Sequence, residues 1–196
     1  MRIRAFGVLA VVAVPLAVSA VRTPPHVTTH HGPAVLGLAN GIRSASTSST
    51  VLLRRPTLTS GCTLGVLPDR RCSPGAYDRT RPKAVLCDDG FHTATVRNVP
   101  DSEKHAVEVA YGLDPKPYGS TLEIDHIISL ELGGVNDITN LYPELAPGFH
   151  TKDKLENRLH ALVCSGAISL RTAQRKIAAD WQSLSSDVFG VQPPVG

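Results

Sequence analysis

No apolar run in this chain of 196 residues is long enough to cross a bilayer. Residues 5–18 come nearest, but they supply about 14 residues against the roughly 20 that a spanning helix needs, and Pro15 interrupts them. An excess of one charge is lacking too. With residues 1–20 set aside, and Arg2 and Arg4 with them, 18 basic residues face 17 acidic ones. A net charge near +1 neither favours nor excludes a nucleic-acid partner. No C-x-x-C spacing occurs, which argues against a cysteine zinc knuckle. There is no internal repeat, so nothing points to a repeat array, and the length leaves room for one moderate core rather than two.

What stands at the N-terminus is a basic start, then the interrupted apolar stretch, then the small residues Ser19 and Ala20. That is the order of a secretory signal peptide over residues 1–20, with an uncleaved anchor as the competing reading. Residues 21–60 are rich in Thr, Ser, Pro and Gly without periodicity and read as a disordered tether, in which His26, His30 and His31 form an incidental cluster. A globular domain is expected over residues 61–190, secreted and without stable membrane association. The cysteines Cys62, Cys72, Cys87 and Cys164 are even in number and follow an export signal, which favours disulfides. Cys62 with Cys72 closes a small loop and leaves Cys87 for Cys164; Cys72 with Cys87 is the competing pairing.

Within the domain, the alternating β-branched stretch from Thr93 to Arg97 predicts a strand. A helix capped by Asp101 or Ser102 should run to Tyr111 and stop at Gly112. Leu155, Leu159, Leu162 and Val163 recur at helical spacing between Thr151 and Cys164 and predict a core-facing helix ended by Gly166. Ser169 is a good N-cap for a second helix that places Leu170, Ala173, Ile177, Trp181 and Leu184 on one stripe. Trp181 therefore reads as a core anchor rather than a base-stacking platform. Lys152, Lys154 and Arg158 on the first of these helices are candidate phosphate contacts, set against the plainer reading of a solvated face.

Between these elements an apolar strand carries Asp125 and His126. It is followed by a Gly133-Gly134 turn, the polar pair Asn136-Asp137, a short strand from Asn140-Leu141, and a helix with His150 at its entrance. From Glu123 to Asp153 this segment resembles the HNH endonuclease family, whose core is a ββα-metal unit. The wider chain looks like small exported bacterial proteins with HNH-like domains. The resemblance implies an α+β fold: a small ββα-metal core with flanking short strands and C-terminal helices, preceded by the tether. It further implies a secreted, metal-dependent nuclease of low sequence specificity, acting on DNA or RNA with one divalent ion, Mg²⁺, Mn²⁺ or Zn²⁺.

By the same resemblance His126 is the general base, because a neutral imidazole can take a proton from water near neutral pH. Asp125 and His150 are the metal ligands, a carboxylate suiting a hard ion and an imidazole a borderline one, with Asp153 a third candidate. Asn140 is expected to hold the loop against the strand and to orient the imidazole through its amide. Strict alternation along a strand puts Asp125 and His126 on opposite faces, so the site calls for a twist or bulge at the strand end. Two other readings compete: a catalytically degenerate HNH scaffold serving as a binding or interaction module, and an extracellular metal binder.

Overall fold

The computed structural model of the protein describes residues 48–113 and 121–190, all within the unit Ala45–Gly196. The signal-peptide reading and most of the tether lie outside these residues. The last part of the expected tether, however, is folded. Thr50–Leu52 forms strand β1, pairing antiparallel with β2 (Ala76–Asp78), and Leu53, Thr57 and Leu58 donate backbone hydrogen bonds to Gly75 and Arg71. The domain thus begins about ten residues before Cys62, because the β-branched and apolar residues after Ser49 find an open strand edge in β2.

A one-turn helix α1 (Lys83–Leu86) and a second, α2 (Thr93–Val96), follow β2. The second corrects the expected strand. A strand there would have no neighbour to pair with, whereas one turn satisfies the backbone locally: Arg97 N–H donates to Thr93 O at 2.9 Å and Thr95 N–H to His92 O at 3.0 Å. Helix α3 (Asp101–Ala110) spans the predicted stretch, but neither Asp101 nor Ser102 caps it. Its N-cap is Pro100 at φ −65°, so Asp101 and Glu103 lie inside the first turn, where carboxylates complement the helix dipole.

Strand β3 (Leu122–His126) pairs antiparallel with β4 (Leu141–Leu145) in unbroken register, from Leu122 opposite Leu145 to His126 opposite Leu141. The two strands and the helix after them, α4 (Gly148–Ser165), follow the order ββα. Both glycines of the intervening turn are required, for different reasons. Gly133 sits at φ +79°, and a Cβ on Gly134 would come within 1.8 Å of the Ile128 carbonyl oxygen. This close approach lets residues 133–135 bond back to β2, through Asp78 N–H to Gly133 O and Val135 N–H to Ala76 O.

Helix α4 buries Leu155, Leu159 and Val163, and α5 (Leu170–Phe189) buries Ala173, Ile177, Trp181 and Leu184. Full burial of each large side chain contributes about 1.5–3 kcal/mol. Trp181 is 1% exposed and donates from Nε1 to Val66 O at 3.3 Å, which makes it the core anchor expected of it. Ser169 caps α5 by accepting from Thr172 N–H. The helix bends at Asp180, whose carboxylate accepts from Ser183 N–H and Oγ and so caps the second half. Disulfides join Cys62 to Cys72 and Cys87 to Cys164, the second tying the end of α1 to α4 across a far longer loop. The described fold is mixed α+β with two small antiparallel sheets, and no described helix is long and apolar enough to cross a membrane.

Candidate functional site

Because β3 pairs without a bulge, alternation along it is strict. Glu123 and Asp125 share one face with Tyr142 and Glu144 of β4, while His126 belongs to the other. The bulge that could have brought Asp125 and His126 together is absent. Each side chain instead meets a different part of the fold.

On the His126 side, Nε2 lies 3.0 Å from Asn136 Oδ1, and Asn136 Nδ2 donates to Val96 O of α2 at 2.7 Å. The second bond fixes the amide, since only its nitrogen can donate to a carbonyl. Oδ1 must therefore accept, so the neutral imidazole carries its proton on Nε2 and its lone pair on Nδ1. The ring is 3% exposed, and burial lowers its pKa below the usual histidine value despite the opposing pull of Asp125. At pH 7 it is a neutral acceptor.

Asn140 is fully buried and satisfies all four of its amide bonds. Oδ1 accepts from Ala76 N–H at 3.1 Å and Ile128 N–H at 3.0 Å; Nδ2 donates to Ile128 O at 3.0 Å and Val135 O at 2.9 Å. It therefore clamps the loop between β3 and β4 to the segment that follows β3 and to β2, as expected of it. Orientation of the imidazole, expected from the same amide, falls to Asn136.

On the Asp125 side stands the largest departure. Lys152, expected as a phosphate contact, is 1% exposed. Its ammonium donates to Asp125 Oδ2 at 2.5 Å, to Glu156 Oε1 at 2.5 Å and to His126 O at 2.7 Å, with Glu144 Oε2 at 3.8 Å. It lies on the stripe of α4 that also holds Leu155, Leu159 and Val163, so the helix carries it inward where three carboxyl groups converge. The spacing of Lys152 to Leu155 and to Leu159 could have signalled this burial, and Glu156, four residues after Lys152, is the helix neighbour that sequence reasoning passed over.

One buried cation supports one buried anion. Burial disfavours the charge on Asp125, but the adjacent Lys152 outweighs it and holds the carboxyl below its usual range; the acids in turn keep Lys152 charged against its own burial. Glu144 is pushed up to about 9 by burial and by Asp125, and Glu156 to about 8 by burial, against the pull of Lys152. Both are protonated at neutral pH. Neither oxygen of Glu144 makes a well-directed hydrogen bond, nor does the buried Tyr142 hydroxyl.

This arrangement fixes the sign of a pH dependence. In metal-free protein the raised pKa values of Glu144 and Glu156 stabilise the fold fully below the unfolded glutamate value, near 4.5, and that contribution is lost as pH rises towards 8–9. Each retained proton contributes a slope of ~1 kcal/mol per pH unit across this window. Urea midpoints measured with chelator present should fall between pH 6 and 9, and Glu144→Gln should flatten the fall. A midpoint that rises with pH over this range would contradict the assignment.

His150 is exposed in the first turn of α4, its ring meeting Phe149 edge-on at 4.3 Å. Glu123 connects it electrostatically to the rest: burial raises the Glu123 pKa, Asp125 and Asp153 raise it further, and Lys152 and His150 oppose them. Lys154 and Arg158 are exposed on α4. A polar cavity of about 270 Å³ opens beside the buried ions, lined by Arg97, Ser129, Glu131, Asp153 and Glu156 among others. Of these only Asp153 was singled out as a site candidate in the sequence; Glu131 lies inside the Glu123–Asp153 segment but at none of the positions that carry the resemblance, and Arg97 lies outside it. The donor types fit a divalent ion: Lys152 bonds one oxygen of Asp125, the Asp125 side chain keeps 15% of its surface exposed, and His150 and Glu123 stand at the surface.

Comparison with protein-family models, with curated proteins and with solved structures finds no match to this chain.

Proposed function

We propose that this chain is an exported, metal-dependent nuclease of the HNH type that hydrolyses phosphodiester bonds in DNA or RNA with little sequence preference. The observation that supports it most is the imidazole of His126, held in one tautomer at the end of a strand hairpin that Asn140 clamps and that α4 follows directly. In that tautomer His126 Nδ1 takes the proton of an attacking water, and Asn136 keeps the ring from turning. Asp125 and His150 would hold one divalent ion, Mg²⁺, Mn²⁺ or Zn²⁺, which when bound neutralises charge growing on the phosphate oxygens. Lys154 and Arg158, exposed on α4, would meet flanking phosphates, and affinity gained there would weaken with salt. Two disulfides agree with an oxidising destination.

A second reading has its own support. The Lys152 ammonium sits on Asp125 Oδ2, and His126 is almost wholly covered; this favours a degenerate scaffold that binds without turnover. Oxidised, folded protein incubated with plasmid DNA and with RNA separates the two. Cleavage supported by at least one of the three ions and abolished by chelator is the expected result. Binding with no product under any ion would leave the scaffold reading standing and end the nuclease one.

A further inference from the structure

Away from Asp125 and His126, Cys87, His160 and Cys164 converge from two segments. Cys87 caps the end of α1, and His160 and Cys164 lie one turn apart on α4, so their side chains share a face. The two sulfurs and a ring nitrogen of His160 all lie within 4.8 Å of one another. His160 Nε2 is 3.4 Å from Cys164 Sγ and 2.9 Å from Leu86 O, and Nδ1 is 4.0 Å from Glu131 Oε2.

Those separations are close to what zinc demands. With Zn–S near 2.3 Å and Zn–N near 2.0–2.1 Å, a tetrahedral ion holds two sulfurs about 3.8 Å apart and a sulfur and a nitrogen about 3.6 Å apart. The observed nitrogen-to-sulfur distance already matches. The two sulfurs, bonded to each other in the disulfide, need only part by a small movement once that bond is gone. Glu131 faces the outer nitrogen of the ring. With the disulfide closed, Nε2–H donates to Leu86 O; zinc binding moves that proton to Nδ1 and frees the Nε2 lone pair, and Glu131, 4.0 Å from Nδ1, then needs to close by about 1 Å to accept the Nδ1–H bond that usually supports a zinc-bound histidine.

We propose that Cys87, Cys164 and His160 form a redox-gated zinc site, closed by the disulfide and opened by its reduction. A dithiol reductant gives two electrons and two protons to the disulfide, yielding two cysteine thiols and its own cyclic disulfide. Zn²⁺ then displaces both thiol protons and takes two thiolates, His160 Nε2 and a water as ligands. The same three side chains thereby tie α1 to α4 in either redox state, by a covalent bond where thiols are oxidised and by a metal where they are not. Sequence spacing conceals the site, because Cys87 lies 73 residues before His160. Nothing in this proposal depends on the nuclease reading.

The test uses the full folded chain, oxidised or reduced by dithiol and desalted without air, titrated with Zn²⁺ against a chromophoric chelator and with Co²⁺ for its thiolate charge-transfer absorption. The oxidised chain should show no thiolate absorption. The reduced chain should bind one ion tightly, Glu131→Gln should weaken it ~10–100-fold, and His160→Ala should weaken it more. Far-ultraviolet circular dichroism follows the fold throughout: a reduced chain that loses helix should regain it with Zn²⁺. Thiolate absorption that survives in Cys164→Ser would overturn the proposal by assigning the ion to Cys62 and Cys72. So would affinity unchanged in His160→Ala, or a reduced chain that neither binds zinc tightly nor refolds with it.

Discussion

His126→Ala is expected to slow phosphodiester cleavage by about 10²–10⁴-fold at neutral pH, the range over which a positioned general base contributes. The expectation rests on tautomer and charge together. Asn136 accepts from Nε2 and is itself locked to Val96 O, so the proton acceptor is Nδ1 and no ring flip is needed. Burial lowers the His126 pKa, so the base is already neutral at pH 7, and the rate should fall only as pH drops below the ordinary histidine range. Asn136→Asp offers an independent check. A carboxylate at that position would favour the imidazolium, raise the His126 pKa and move the acid limb of the pH–rate profile upward. A His126→Ala variant that keeps its urea midpoint and cuts as fast as the parent would remove His126 from the chemistry.

Lys152→Met is expected to cost about 3–5 kcal/mol of stability at pH 7, the penalty for leaving a buried charge without its partner. Methionine replaces most of the volume, so the loss reports charge rather than a cavity. Asp125 loses its cation, and the donor shared by Glu156 Oε1 and His126 O disappears with it. The sign of the pH dependence identifies the cause. Lys152 holds the Asp125 pKa down, a contribution present above the ordinary aspartate value and lost as pH falls through the depressed one. With the ammonium gone, burial raises the Asp125 pKa above its ordinary value, so the destabilisation should shrink on acidification as Asp125 takes a proton in the variant. Urea unfolding at pH 5 and pH 7 measures this, and a loss below 1 kcal/mol at pH 7 would mean that the acids do not rely on the ammonium.

Lys152 also shows where reading along the chain fails. Beside Lys154, near the start of a helix, it resembles any solvated lysine. Its partners Asp125 and Glu144 arrive on two strands 27 and 8 positions earlier in the chain. The helical stripe shared with Leu155 and Leu159 was present in the sequence, but a charged residue on it is buried only if something opposite neutralises it. Thr93 to Val96 failed differently. Four β-branched or small residues fit a strand and a single helical turn alike, and the choice turned on whether a neighbouring strand existed. Asp125, His126, Asn140 and His150 are legible in the sequence as site candidates and Asn136 as part of the motif, but nothing local to Asn136 shows that its amide meets His126.

The sequence by itself determined the features that arise within a few residues. These are the periodic apolar faces of α4 and α5, the Ser169 cap, the glycine pair after β3, the alternation of β3, and an even set of cysteines after an apolar N-terminus. Periodicity, capping and turn geometry act over one or two turns of chain, so their causes are written next to their effects. Tertiary structure alone decided which cysteines pair, that Asn136 selects the His126 tautomer, and that Asp125 faces a buried ammonium rather than solvent. Each of those depends on desolvation and on the meeting of distant segments. The strength of a charge or hydrogen bond is set by what surrounds it after folding.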